Sequence, residues 1–156
     1  MKHIIFDCDG TLVDTSGHKA QLFPGIKELL VDLAAKYHLY VWTARGRDST
    51  LRILKDLDIA KYFEGFSTPD DCVPKPHIQG LIQLVGGASK KSICVIGDSG
   101  NDILGAKNFS VLALGAVWNG SGGKDVLKDY GADFIVSHPS ECSRIIELNL
   151  KGEDDV

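Results

Sequence analysis

The sequence predicts an α/β protein, a doubly wound and mostly parallel sheet with helices on both faces. Three observations predict it. Strand-like and helix-like segments alternate along all 156 residues, the pattern of a parallel sheet whose crossovers are helices. No internal repeat and no linker-like stretch divides the chain, so one domain is expected over 1–150, followed by a polar tail, KGEDDV, at 151–156. A single chain of this length buries roughly 68–70% of its unfolded surface, enough for one respectable core.

Each element has its own signal. Residues 3–6 (HIIF) are a short apolar run stopped by Asp7 and read as a strand. The segment 24–36 (PGIKELLVDLAAK) is a helix: Pro24 suits a first helical position, and Ile26, Leu29, Leu30 and Leu33 form one apolar stripe. A strand follows at 38–42 (HLYVW), a helix at 47–58 and a short strand near 62–66 (YFEGF). The loop STPDDCVPKP, with three prolines, leads to a helix at 77–85. The remainder repeats the alternation: strand 92–96 (SICVI), helix 99–108, strand 111–116, a glycine-rich loop (WNGSGG), helix 123–130, strand 133–136 and helix 139–149.

Composition narrows the function. With 44% hydrophobic and 24% charged residues and a net charge of −4, the chain looks like an ordinary globular protein. It has no basic track for nucleic acid or an anionic membrane, since Lys90-Lys91 is the only basic pair near a loop. No apolar stretch reaches the 18 residues of a membrane span, and the first strand leaves no room for a signal peptide. The cysteines (Cys8, Cys72, Cys94, Cys142) show neither a CxxC pair nor metal-ligand spacing, so neither zinc nor a disulfide framework is expected. A reduced, cytoplasmic protein is the resulting expectation.

In parallel sheets ligands bind outside the carboxyl ends of the strands, so the residues just after each strand matter most. After the first come Asp7 and Asp9, two carboxylates about 6–7 Å apart on one side of an extended chain. After the second come Thr43, Ala44 and Arg45; after the third and its loop, Lys75; after the fourth, Asp98 and Asp102. A parallel sheet brings all four clusters to one edge. The carboxylates of Asp7 and Asp98, at neighbouring strand ends, can then share a divalent cation that relieves their repulsion. Mg²⁺ suits such a site, because it takes oxygen ligands from one or two carboxylates, substrate phosphate and water.

This constellation resembles the haloacid dehalogenase superfamily, and specifically its phosphatases. DCDGT at 7–11 is similar to the first family motif, Thr43 to the second, Lys75 to the third and GDSGND at 97–102 to the fourth, in order and over nearly the whole chain. GAVWNGSGG and YGADFIVSHPSE resemble the closing segment of the phosphoglycolate-phosphatase-like branch. The resemblance implies a Rossmann-like core and a Mg²⁺-dependent phosphatase acting through a covalent aspartyl-phosphate. It makes Asp7 the nucleophile and Asp9 the acid and then the base. Thr43 binds the transferring phosphoryl group, Lys75 balances charge, and Ala44 and Arg45 complete the substrate-binding set. The metal is held by Asp7, the Asp9 carbonyl, Asp98 and Asp102, the last directly or through water. Asp9 favours phosphoryl chemistry, since the family's dehalogenases lack an acid–base aspartate there.

Several residues keep a structural reading beside the functional one. Ser99 followed by Asp102 also matches a helix capping box. Arg45 either meets a substrate phosphate or carboxylate or pairs with an acid on the following helix. His77 is a surface or helix-starting residue or lines the site; His18 is an exposed residue of 15–23; Trp118 is a rim or a core residue. Cys8 and Cys94 pack.

Most members of the superfamily insert a cap domain between the first and second motifs or between the second and third. Here the 36 positions from Asp7 to Thr43 and the 32 from Thr43 to Lys75 are filled by core elements, and Thr15–Phe23 is long enough only for a flap. A capless site suits either a phosphorylated small molecule or a larger phosphorylated substrate, and allows a homo-oligomer in which a neighbouring subunit lends a lid. Two enzyme readings compete, hydrolysis and phosphotransfer, and the missing cap weighs against a phosphomutase, which must exclude water. A catalytically silent binding domain is a third reading. A signalling receiver domain fits poorly, because its acceptor aspartate follows a mid-chain strand and here RILKDLD occupies that place.

Overall fold

The apolar runs anticipated from the sequence form a six-stranded, wholly parallel sheet in this computed structural model, which describes residues 1–152. Of the expected tail at 151–156, residues 153–156 lie outside the described residues. Strands β1 (His3–Phe6), β4 (His38–Trp42), β5 (Gly65–Ser67), β6 (Ile93–Gly97), β7 (Leu112–Ala116) and β8 (Phe134–Val136) lie in the order β5-β4-β1-β6-β7-β8. A two-stranded antiparallel hairpin, β2 (Val13–Asp14) and β3 (Gln21–Leu22), stands outside the sheet.

Side-chain alternation divides the sheet into two cores. Ile4 and Phe6 of β1, Leu39 and Val41 of β4 and Ile96 of β6 face α1 (Ile26–Ala34), α2 (Arg47–Asp56) and α6 (Cys142–Asn149). Ile5, Trp42 and Val95 face α3 (Gln79–Val85), α4 (Gly100–Asn108) and α5 (Lys124–Asp129). The α1 stripe Ile26, Leu29, Leu30 and Leu33 is fully buried as its spacing requires. At about 1.5–3 kcal/mol per buried aliphatic side chain, that stripe holds the helix to the sheet.

Beyond shifts of one or two residues at other element ends, three boundaries differ from the sequence expectation for a visible physical reason. Helix α1 begins at Ile26 rather than near Pro24, because Gly25 takes a left-handed φ of 91° next to the ring of His138. The strand expected at 62–66 is shifted to 65–67, since Ala60–Tyr62 closes a 3₁₀ turn and Phe63 is buried in the core. The last helix starts at Cys142, after a 3₁₀ turn over Pro139–Glu141 capped by the His138 side chain.

The chain visits β1, β4 and β5 on one side, then returns to β6 on the other side of β1. The topological switch point therefore falls at the carboxyl ends of β1 and β6, where open α/β sheets bind ligands. Among the described residues no domain is inserted between Asp7 and Thr43 or between Thr43 and Lys75, so the core carries no cap. All four cysteines are free, and no helix among the described residues is long and apolar enough to cross a membrane.

Candidate active site

Parallel register delivers the first residues of the site. Phe6 pairs with Val41 on one side and Ile96 on the other, so the turns after β1, β4 and β6 leave the sheet side by side. The amide of Asp7 still donates to the Ile96 carbonyl (3.0 Å), which fixes Asp7 against β6. Beyond it the chain turns tightly, with the amides of Thr11, Leu12 and Val13 all donating to the Cys8 carbonyl. Asp7, Asp9, Thr43, Ala44, Lys75, Asp98, Ser99 and Asn101 line a cleft of about 220 Å³ at this edge.

Lys75 is the hub. Its Nζ donates to Asp7 Oδ1 (2.9 Å) and Asp102 Oδ1 (2.5 Å), and lies 4.9 Å from the centre of the Trp42 ring. Its side chain is only 5% exposed. Burial opposes its charge, but the two carboxylates outweigh burial and hold the ammonium above the usual lysine range. Burial pushes Asp7 up to about 6; Lys75 works against that, while the neighbouring Asp98 carboxyl pushes the same way. Asp102 also rises to about 6, from burial and the Asp7 charge, against the pull of Lys75.

Asp98 is held from several sides. Thr11 Oγ1 donates to its Oδ1 (3.0 Å) and Asn119 Nδ2 to its Oδ2 (2.9 Å). Gly10, at φ 83°, presents its bare α-carbon to the same carboxylate, and a β-carbon there would collide with it. Oxygens of Asp7, Asp98 and Asp102 lie within 4.8 Å of one another. An all-carboxylate set of this size suits a hard divalent cation, which would offset the cost of holding these charges buried and close together.

Asp102 answers both readings of its sequence position. Its Oδ2 accepts from the amide (3.1 Å) and hydroxyl (2.9 Å) of Ser99 while Ser99 Oγ accepts from the Asp102 amide, a complete capping box. Its other oxygen serves Lys75.

Arg45 pairs with an acid, but with Asp9 after β1 rather than with one on the following helix. Nε donates to Asp9 Oδ2 (2.9 Å), Nη2 to Oδ1 (2.6 Å), and Nη1 to Ser49 Oγ (2.7 Å) on α2. Burial pushes Asp9 upward, but the two Arg45 bonds and a further one from Thr15 outweigh it, leaving this carboxyl below the usual carboxylate range. Thr43 is buried and accepts the Arg45 amide on its hydroxyl (3.0 Å), while Ala44 is exposed at the cleft. Of the remaining candidates, His77 is exposed and caps the following turn by accepting from the Gln79 amide (3.0 Å), and His18 is exposed on the hairpin connection. Trp118 packs half-buried on the core while its Nε1 donates to the Thr11 carbonyl (2.9 Å).

Comparison with known proteins places the chain in a family. Residues 16–116 match the haloacid dehalogenase-like hydrolase family. The chain belongs to that family. A phosphoglycolate phosphatase of Yersinia pseudotuberculosis is 32% identical over 124 residues, covering 77% of this chain and 50% of that protein. One of Agrobacterium fabrum is 36% identical over 101 residues, covering 62% and 43%. The chain thus spans about half the length of the curated relatives it matches. A haloacid dehalogenase-like protein from Streptococcus pneumoniae superposes with a TM-score of 0.78 at 24% identity, covering 93% of this chain and 98% of that one. A protein described as a beta-phosphoglucomutase from Thermotoga maritima gives 0.84 at 19%, covering 96% and 100%. The two superpositions establish the shared haloacid dehalogenase-like fold.

Sequence reasoning assigned no role to Thr11 and none to Asn119. Thr11 lay in plain view as the last residue of DCDGT. Asn119 follows β7, a fifth strand whose carboxyl end falls under the same strand-end rule that singled out the other candidates.

Proposed function

We propose that this chain is a phosphatase that hydrolyses a phosphate monoester through a covalent aspartyl-phosphate on Asp7. The observation that carries the reading is the convergence of Asp7, Asp98 and Lys75 under one cleft at the switch point of the sheet. A carboxylate is a weak nucleophile, so alignment must supply much of the rate. Lys75 holds the Asp7 carboxylate in place and balances its charge.

In the first half-reaction an Asp7 oxygen forms a bond to phosphorus as the bond to the leaving oxygen breaks. The Asp9 carboxyl gives its proton to that oxygen. In the second, Asp9, now a carboxylate, takes a proton from the water that attacks the same phosphorus, the Asp7–phosphorus bond breaks, and phosphate leaves. Thr43 and the backbone at Ala44 bind the phosphoryl oxygens, with Lys75 opposing their charge.

Asp7 and Asp98, with the Asp9 carbonyl, would hold Mg²⁺, and Asp102 would contribute directly or through a water. Bound there, the ion would neutralise charge on the carboxylates and on the phosphate.

The names of the relatives make phosphoglycolate the first substrate to test. The cleft has no cap to close over it, which favours hydrolysis over transfer to a second substrate and leaves room for a larger phosphorylated molecule. A lid lent by another copy of the chain is compatible with the same opening, and the four free thiols suit a reducing cytoplasm. The test is Mg²⁺-dependent hydrolysis of an aryl phosphate by the purified chain, with Asp7→Asn as control. Metal-dependent turnover that vanishes in the variant is expected; turnover retained by Asp7→Asn overturns the nucleophile.

A further inference from the structure

Asn119 lies in the glycine-rich loop after β7, and its side-chain amide is fully engaged. Its Oδ1 accepts from the Ser121 amide (2.9 Å), while Nδ2 donates to the Gly10 carbonyl (3.2 Å) and to Asp98 Oδ2 (2.9 Å). The surroundings fix which end is which: the backbone N–H of Ser121 needs an acceptor, and the carbonyl and carboxylate need a donor. The loop is anchored independently of this amide, because Trp118 donates to the Thr11 carbonyl and packs on the core.

We infer that Asn119 is a positioning residue of the metal site, which locks the Asp98 carboxylate in one orientation and ties the loop after β7 to the loop after β1. The inference rests on the proposed role of Asp7 and Asp98 as Mg²⁺ ligands. With Thr11 on Oδ1 and Asn119 on Oδ2, neither Asp98 oxygen is free to rotate away, and their remaining lone pairs face a fixed direction. A cation then binds without first ordering its ligand. Partners that orient metal ligands in this way are commonly worth about 10–100-fold in metal affinity.

The test is calorimetric titration of Mg²⁺ alone into the whole chain, into Asn119→Ala and into Trp118→Phe, with unfolding in EDTA followed by circular dichroism. Asn119→Ala is expected to bind Mg²⁺ about tenfold or more weakly while unfolding in EDTA within a few degrees of the parent. Trp118→Phe, which loosens the same loop but keeps the amide, is expected to hold its Mg²⁺ affinity within about threefold. Equal losses in the two variants would mean that loop order, not the amide, matters, and would overturn the inference. So would an Asn119→Ala affinity within twofold of the parent. If the parent itself binds no Mg²⁺, the metal reading of the proposed function fails first and takes the inference with it. If the parent binds and Asn119→Ala binds equally, only the role of Asn119 fails. Should Asn119→Ala not fold, Asn119→Leu, similar in size but without the donor, takes its place under the same criteria.

Discussion

Arg45 grips Asp9 with two parallel hydrogen bonds, Nε to Oδ2 at 2.9 Å and Nη2 to Oδ1 at 2.6 Å, and is itself braced by Ser49. A bidentate guanidinium–carboxylate pair is strong and geometrically exacting. It favours the ionised form of the residue proposed to donate a proton in the first half-reaction.

That pairing predicts a shift in the pH profile of Arg45→Met. An arginine beside an aspartate lowers its pKa by about 1–3 units, so removing it lets Asp9 hold its proton to higher pH. Asp9 must be protonated to act first as an acid. The descending limb of kcat/KM is therefore expected to move up by about one pH unit, measured on a phosphate monoester with a poor leaving group. A limb that stays in place would show that Asp9 is not the group titrating.

Lys75 predicts a stability effect. It is buried and is the shared cationic partner of Asp7 and Asp102. Lys75→Met leaves two buried carboxylates without their counter-charge, and breaking such a network typically costs about 3–5 kcal/mol. Urea unfolding at pH 8 should show a loss of that order. The loss should shrink as the pH falls toward about 6, because carboxyls held at about 6 beside Lys75 take up protons at higher pH once it is gone. A pH-independent loss would point to packing against Trp42 instead.

How much of this was legible in the sequence follows from which physical rule governs each residue. Strand β1 could be read to its last residue because an apolar run ends at Asp7, and the strand-end rule then gathered Asp7, Thr43, Lys75 and Asp98. The β2–β3 hairpin escaped, since two-residue strands are too short to show alternation. The partner of Arg45 escaped for a different reason. Asp9 is 36 residues away, and only the side-by-side placement of β1 and β4 brings the two together. The double role of Asp102 was visible as a capping box, but its bond to Lys75 depends on where the loop after β5 returns.

Gly10 carries a prediction about shape alone. Its φ of 83° is in the left-handed region, and a β-carbon there would strike the Asp98 carboxylate. Gly10→Ala should displace Asp98 and so weaken Mg²⁺ binding, with a cost in stability of about 1–2 kcal/mol from the backbone alone. Mg²⁺ titration and thermal unfolding check the two parts separately. Full Mg²⁺ affinity in a folded Gly10→Ala would mean that Asp98 has room to retreat and still bind.

The raised Asp7 and Asp102 give the metal a pH signature. A carboxyl whose folded pKa lies above its unfolded value adds stability below the unfolded value, and that stability is lost as the pH rises through the folded one. For these two groups the loss runs from about 3.8 up through about 6, so without metal the site is a burden at pH 7.5 and relieved at pH 5. Protons and Mg²⁺ compete for the same oxygens, and metal affinity falls where the ligands protonate. The rise in melting temperature caused by saturating Mg²⁺ should therefore be several degrees at pH 7.5 and close to nothing at pH 5. In EDTA, Asp7→Asn, which removes the buried charge but keeps an acceptor for Lys75, should be more stable than the parent at pH 7.5. A shift of this size corresponds to about 2–3 kcal/mol, or several degrees for a domain of this length. A Mg²⁺ effect equal at both pH values would place the ion on surface carboxylates, away from Asp7.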